Sequence, residues 1–346
     1  MKKFIGRAGK AAAILLALAA LTLTGFRAAA HFRETHEAAA LAPANGAFAE
    51  TSYGKVHVSY WGEPAGKPVV MTHGMAAWGG LWKLTGEALA ARGYRVIALD
   101  QAPFGFSDSA NPDFSRSAEA KRLLEAVKAL NIEKPLHVGH SYGGGVALEA
   151  ALLAPEAFEG LVLVCPVTGL FGQKPGAVPQ MAQLPLPLRP QVVRELFISA
   201  TAANPLLTKF LMAKFMHRKD MITTDQIATL QLPLQRRGAT RAMALWFQQF
   251  IEGDPSALSA ARVEAAKLRV PTELIWGEED SVTPIAQGED LAPLVKAAQF
   301  KRIPGIGHMP QIEDPAMFNS ALIEALERLG AKQLSDWPLR QTASAR

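Results

Sequence analysis

Pro135-Leu136-His137-Val138-Gly139-His140-Ser141-Tyr142-Gly143-Gly144-Gly145 is the stretch from which the fold of this chain can be read. Apolar residues lead into a cluster of small ones, and an alanine-rich pattern follows (Val146, Ala147, Leu148, Ala150, Ala151, Leu152). The pattern predicts a short buried strand, a sharp turn and a helix, with Ser141 on the turn. Gly139 and Gly143 flank Ser141 at the G-x-S-x-G spacing of a nucleophile elbow. Residues without side chains suit these positions, because a strained serine backbone leaves little room between strand and returning helix. The helix N-terminus directs free N–H groups and the positive end of its dipole at the serine oxygen. A glycine-rich turn can also carry a serine of no chemical consequence, so the motif needs agreement from its surroundings.

Those surroundings repeat the same rhythm. Ala47 to Tyr53 and Lys55 to Trp61 alternate about Tyr53-Gly54 as a hairpin. Pro68 to Thr72 reads as a buried strand ending in His73-Gly74, and Trp78 to Ala91 as a helix. Arg95 to Leu99 is the next strand, ending at Asp100, and Ser115 to Leu130 the next helix. Leu161 to Cys165 is a further apolar strand, so residues 47–165 form the first part of an α/β core. Nearly continuous apolar strands alternating with helices predict a mostly parallel sheet covered on both faces. The rhythm stops at Pro166. Residues 166–262 carry helical patterns at Gln191 to Ile198, Pro205 to His217, Thr224 to Leu230 and Thr240 to Ile251. So long a stretch between strands predicts an inserted helical cap rather than a loop. The core resumes over 263–329 with strands Pro271 to Trp276 and Gln299 to Ile303 and a last helix from about Asp314 to Leu329. Residues 330–346 are polar without a clear period and are expected to be loosely ordered.

The 346 residues suffice for one large α/β domain with an insertion, or for two small domains. The net charge of +5 owes much to the termini (Lys2, Lys3, Arg7, Lys10, Arg340, Arg346), and no basic stripe interleaved with aromatics supports nucleic-acid binding. The single cysteine, Cys165, forbids an internal disulfide and is expected to pack as a small apolar side chain. At the N-terminus four basic residues precede an uncharged apolar run, Ala11 to Phe26. Residues 1–30 are either a signal peptide cleaved after Ala30 in Ala28-Ala29-Ala30, or a retained membrane anchor with its basic end in the cytoplasm. Both readings carry the main domain across a membrane, periplasmic or secreted in the first case and tethered in the second. Residues 31–46 read as a helical or loose spacer.

From Phe48 to Leu329 the chain resembles the α/β-hydrolase superfamily, in the branch with a serine nucleophile and a helical cap. The motifs stand in the family's order: His73-Gly74 with Trp82 beyond, Asp100 to Ser107, Gly139 to Gly143, Gly277-x-x-Asp280 and Gly307-His308. His73, Ser141, Asp280 and His308 all lie just after predicted strands, where ligands gather in an open parallel sheet. The resemblance implies a triad of Ser141 as nucleophile, His308 as base and Asp280 as the carboxylate orienting it. Glu278 and Glu279 compete with Asp280, and Asp280 could instead only cap a helix. The resemblance further implies an oxyanion hole from the backbone N–H groups of Met75 and Tyr142, and no metal or organic cofactor. His73 then orients the oxyanion loop, while His140 is expected to pack within the elbow. His137 and His217 have no chemical context, and Asp100 and Asp108 frame a structural loop around Phe104-Gly105-Phe106. That loop lacks the arginine or glycine many relatives carry at the Ala102 and Pro103 positions, which affects the pocket wall and not the triad.

The implied activity is hydrolysis of carboxylic esters of small or medium apolar substrates through an acyl-enzyme. The same machinery serves thioesters, amides, lactones, carbon–carbon cleavage and perhydrolysis, which pocket shape alone separates. A serine at the elbow, in place of aspartate, argues against dehalogenase or epoxide hydrolase chemistry. A ligand-binding protein with a vestigial site is the remaining alternative. The implied partner is a small-molecule ester, together with a membrane if the leader stays in place. Oligomeric state is left open.

Overall fold

The computed structural model describes residues 2–335, except 175, 178 and 179. Eight strands form one sheet in the order β1-β2-β4-β3-β5-β6-β7-β8. They are β1 (Gly46–Thr51), β2 (Gly54–Trp61), β3 (Lys67–Thr72), β4 (Tyr94–Leu99), β5 (Leu136–His140), β6 (Gly160–Val164), β7 (Thr272–Gly277) and β8 (Gln299–Ile303). The β1–β2 hairpin lies antiparallel along β4, and all pairs from β4 onward are parallel. Every residue of β5, β6 and β7 is buried; β6 is apolar throughout, while β5 carries the buried His137 and His140 and β7 the buried Thr272 and Glu273.

The helices before the insertion are, in chain order, α1 (Lys2–Arg33), which packs on the inserted region rather than on the sheet, α2 (Ala38–Leu41), α3 (Lys83–Ala90), α4 (Arg116–Ala129) and α5 (Tyr142–Leu153). The inserted helical region follows β6 and contains α6 (Gln191–Ala200), α7 (Thr208–Phe215), α8 (Thr224–Gln231), α9 (Ala239–Glu252) and α10 (Arg262–Ala265). The core closes with α11 (Ile285–Leu294), α12 (Pro310–Glu313) and α13 (Pro315–Ser335). The stretch from Trp78 does not form one helix: a 3-10 turn, Gly79–Trp82, precedes α3. The last helix runs past Leu329 to Ser335, because Ala331, Lys332, Gln333 and Leu334 are good helix formers and outweigh the single Gly330. The tail from residue 336 lies outside the described residues.

Helix α1 is part of the fold at its C-terminal end. Helix α1 passes through Ala28-Ala29-Ala30 without a break, and Ala30 is fully buried. Arg27 pairs with Glu195 of α6 at 3.1 Å. Arg33 donates to the carbonyls of Leu234 at 3.0 Å and Ala203 at 2.8 Å, and Glu34 accepts from the Thr240 amide at 3.1 Å. The inserted region is tied to the core by Arg236, buried, which donates to the carbonyls of Pro103 at 2.6 Å and of Ser107.

Candidate active site

The turn between β5 and α5 sets the first side chain. Ser141 has φ 54°, in the left-handed region, and its amide donates to the Val164 carbonyl of β6 at 2.9 Å. Two glycines make that turn possible. A Cβ on Gly139 would lie 2.7 Å from the Ala147 Cβ and the Gly143 carbonyl, and one on Gly143 would lie 2.5 Å from the His73 carbonyl. Strand and helix therefore approach more closely than any side chain permits.

His308 lies on the loop after β8, with its Nε2 2.8 Å from Ser141 Oγ and its Nδ1 2.7 Å from Asp280 Oδ2. Asp280 follows β7, and its carboxylate is saturated. Oδ1 accepts from the amides of Val282 and Thr283, both at 2.8 Å, and Oδ2 accepts from the Thr283 hydroxyl at 2.8 Å. Burial by itself would raise the Asp280 carboxyl, but hydrogen bonds and charge from His308, with the Thr283 donors, hold it below its ordinary value. Glu278 and Glu279 are exposed, and the residue before α11 is Pro284, so Asp280 does not cap that helix. All three side chains are buried.

The neighbouring histidines are arranged differently. His73 Nδ1–H donates to the Gly74 carbonyl at 2.8 Å and Nε2 accepts from the Gln101 amide at 2.9 Å, which couples the loop after β3 to that after β4. Burial pushes its pKa down. His140 Nε2–H donates to the His308 carbonyl at 2.8 Å, and its pKa is lowered to about 3 by burial, with His308 adding to the effect. His137 is lowered to about 3 by burial, stacks on Phe158 and meets the Thr72 hydroxyl at 3.1 Å. Asp100 receives the amides of Gly79 at 2.7 Å and Phe106 at 2.9 Å and pairs with His57 at 2.9 Å, all in the core. Met75 is on the loop after β3 and Tyr142 is the first residue of α5. Among the described residues neither backbone N–H donates to a protein acceptor.

Sequence reasoning does not single out Glu313. Fully buried, it accepts amides from Gly307 (3.0 Å), Met309 (3.1 Å), His217 and Arg218 (both 2.9 Å). It thereby fixes both sides of His308 and joins that loop to the end of the α7 segment. Its only sequence signal is a carboxylate five residues past His308, in a short turn with Pro310 and Ile312.

A cleft of about 790 Å³, its open mouth included, ends at Ser141 and His308. Its walls are Met75, Leu81, Trp82, Leu211, Met212 and Phe215 among other apolar residues, with polar groups from His73, His140, Thr208 and Gln311. Among the described residues no Asp, Glu, Lys or Arg lines it. Cys165 Sγ, an Asp280 oxygen and a His308 nitrogen lie within 4.8 Å of one another, the arrangement nearest to a metal-ligand trio. Burial and the Asp280 charge push the Cys165 thiol well up, so it stays protonated, and protonated thiols are poor ligands.

Residues 67–315 match the family model described as alpha/beta hydrolase fold. Over 286 residues the chain is 29% identical to 2-hydroxymuconate semialdehyde hydrolase of Pseudomonas sp. (strain CF600), covering 78% of this chain and 90% of that one. The meta-cleavage product hydrolase of Pseudomonas fluorescens IP01 superposes with a TM-score of 0.66 at 25% identity, covering 82% of this chain and 98% of the other. A bacterial membrane phospholipase A shares the fold at TM-score 0.62 and 21% identity, over 95% of this chain and 99% of that one. With the family model spanning most of its length and the sheet in matching form, the chain belongs to the α/β-hydrolase fold family.

Proposed function

We propose that the protein hydrolyses neutral, apolar carboxylic esters through an acyl-enzyme on Ser141. The observation that carries this reading is the unbroken relay from Ser141 Oγ through His308 to Asp280, at 2.8 and 2.7 Å, at the end of an uncharged cleft. As Oγ bonds to the ester carbon, His308 Nε2 takes its proton and the carbonyl electron pair moves onto oxygen. The N–H groups of Met75 and Tyr142, with the N-terminus of α5, receive that oxyanion; a donor of this kind contributes about 3 kcal/mol. Collapse breaks the bond to the alcohol, which leaves with the proton held by His308. Water then enters, gives its proton to His308 and releases the acid, restoring Ser141. Asp280 holds Nδ1–H and stabilises the imidazolium in both halves.

The missing charge in the cleft separates this reading from that of some relatives. One relative, from Metapseudomonas resinovorans and 26% identical, is named for hydrolysing a hexa-2,4-dienoic acid. A substrate carboxylate would here give up its hydration without meeting a cation, since burial keeps His73 and His140 neutral. Uncharged thioesters and lactones fit the same cleft. In the test, Ser141→Ala and wild type are offered p-nitrophenyl esters and a fluorophosphonate probe. Loss of labelling, with turnover falling by up to about a millionfold, is expected. Retention of more than about a tenth of the activity would overturn the assignment.

We also read α1 as a retained anchor. Lys10–Arg33 is long and apolar enough to cross a membrane, with mean hydropathy 1.8, and the basic residues before it favour a cytoplasmic N-terminus. Supporting retention, cleavage after Ala30 would sever a continuous helix and remove the Arg27–Glu195 pair. N-terminal sequencing of the exported protein should find the leader present; a chain beginning at His31 would refute this.

A further inference from the structure

We infer that Met181 to Val192, the approach to α6, lies against the lipid bilayer beside α1. The inference rests on the reading of α1 as an anchor. Arg27 meets Glu195 and Arg33 meets Ala203, so α1 and α6 run in the same direction. Carried back along both helices, that register sets Val192 about level with Thr24, within the apolar run that ends at Phe26. The end of α6 nearest the membrane is therefore its N-terminus, and the chain there is apolar and exposed. Met181 is 60% exposed, Leu186 72% and Val192 65%. Single exposed apolar residues are ordinary on a protein surface, but three fall here within twelve positions of one segment leading into the helix that packs on α1.

The charges agree. From Gln173 to Arg194 the sequence has no carboxylate, and Lys174 and Arg189 are exposed cations, whereas Arg194 is buried and donates to the carbonyls of Ala244 and Leu188. Apolar side chains beside cations suit the boundary of an anionic bilayer, where such segments settle about 5–10 Å deep. The other end of α6 leads to Ala202 in the cleft wall. Helix α6 has 10 residues and is about 15 Å long, so the lipid contact and the cleft share one rigid support.

The experiment uses the full chain in phosphatidylcholine–phosphatidylglycerol vesicles. An environment-sensitive fluorophore is placed on Leu186→Cys, Val192→Cys, Leu21→Cys in α1, or Lys301→Cys on β8; the native Cys165 is buried and stays unlabelled. Nitroxide-bearing lipids should abolish most emission at 21, 186 and 192 and leave 301 bright. Quenching at 21 with bright labels at 186 and 192 overturns the lipid contact and leaves the anchor standing. A bright label at 21 removes the anchor, and this inference with it. Labels at 186 and 192 that are shielded only as protein density rises, without quenching by lipid, assign the segment to a second copy and overturn the proposal.

Discussion

Replacing Asp280 by asparagine changes one atom and, by the geometry, reverses the relay. Two backbone N–H groups, from Val282 and Thr283, point at Oδ1 from 2.8 Å and cannot turn away. The amide oxygen of the new side chain must occupy that place, which puts its NH₂ where Oδ2 faced His308 Nδ1 at 2.7 Å. Two donors cannot share that contact, so the imidazole adopts the other tautomer, with Nδ1 accepting and Nε2–H directed at Ser141 Oγ. A base that already carries its proton cannot take another from serine. Loss of about 10⁴ in kcat is expected, about 5.5 kcal/mol of transition-state stabilisation. Thr283→Val provides the contrast. It removes the hydroxyl, which donates to Oδ2 at 2.8 Å and lies 3.3 Å from both the Cys165 carbonyl and His308 Nδ1, and leaves the tautomer unchanged, so a loss of about tenfold is expected. Both variants should retain the wild-type far-UV spectrum and melting behaviour, and turnover of a p-nitrophenyl ester near neutral pH separates them. Asp280→Asn activity within about tenfold of wild type would refute the relay as described.

Two further outcomes follow from buried groups. His137 and His140, each held at about 3 by burial, titrate near 6.5 when unfolded, so below pH 6.5 the unfolded chain binds protons that the native chain refuses. The stability is complete above pH 6.5 and is lost toward pH 3, at about 2–3 kcal/mol per pH unit for the pair; denaturant titrations at pH 6 and pH 5 that coincide would contradict this. Gly143→Ala would set a methyl group against backbone atoms of Thr72 and His73, at 2.8 and 2.5 Å, which no side-chain rotation relieves. A loss of about 1–3 kcal/mol in stability and a displaced elbow are expected, read as a lower Tm and lost fluorophosphonate labelling, and a wild-type result in both would contradict the close approach.

The sheet was legible because its central strands are buried on both sides, so they appear as mostly apolar runs between glycines and polar turns, with single interruptions such as Arg95, His137 and Glu273. The elbow was legible because its glycines answer a local demand, the collision of neighbouring backbone. The order of the other elements then brought Asp280 and His308 to the same rim. What stayed hidden depends on partners distant in sequence. The carboxylate of Glu313 has no periodic signal, and its value lies in amides at 217 and 218 that reach it only after folding. The attachment of Arg33 to Leu234 and Ala203 spans about two hundred positions, and a reading that divides leader from domain at Ala30 separates what packing joins. Ending the last helix before Gly330 also stopped it too early, since one glycine in an otherwise helix-forming stretch does not interrupt it.

The carboxylate at 313 bears on any attempt to exchange specificity by grafting. Because His217 and Arg218 supply two of its four amide donors, a foreign segment spliced between 205 and 235 inherits an obligation toward the His308 loop as well as a cleft wall. A graft without two N–H groups at that junction leaves the buried Glu313 carboxyl with half its partners. Chimaeras chosen for a new substrate preference would then lose turnover through a displaced imidazole, even where the transplanted walls fit the new substrate well.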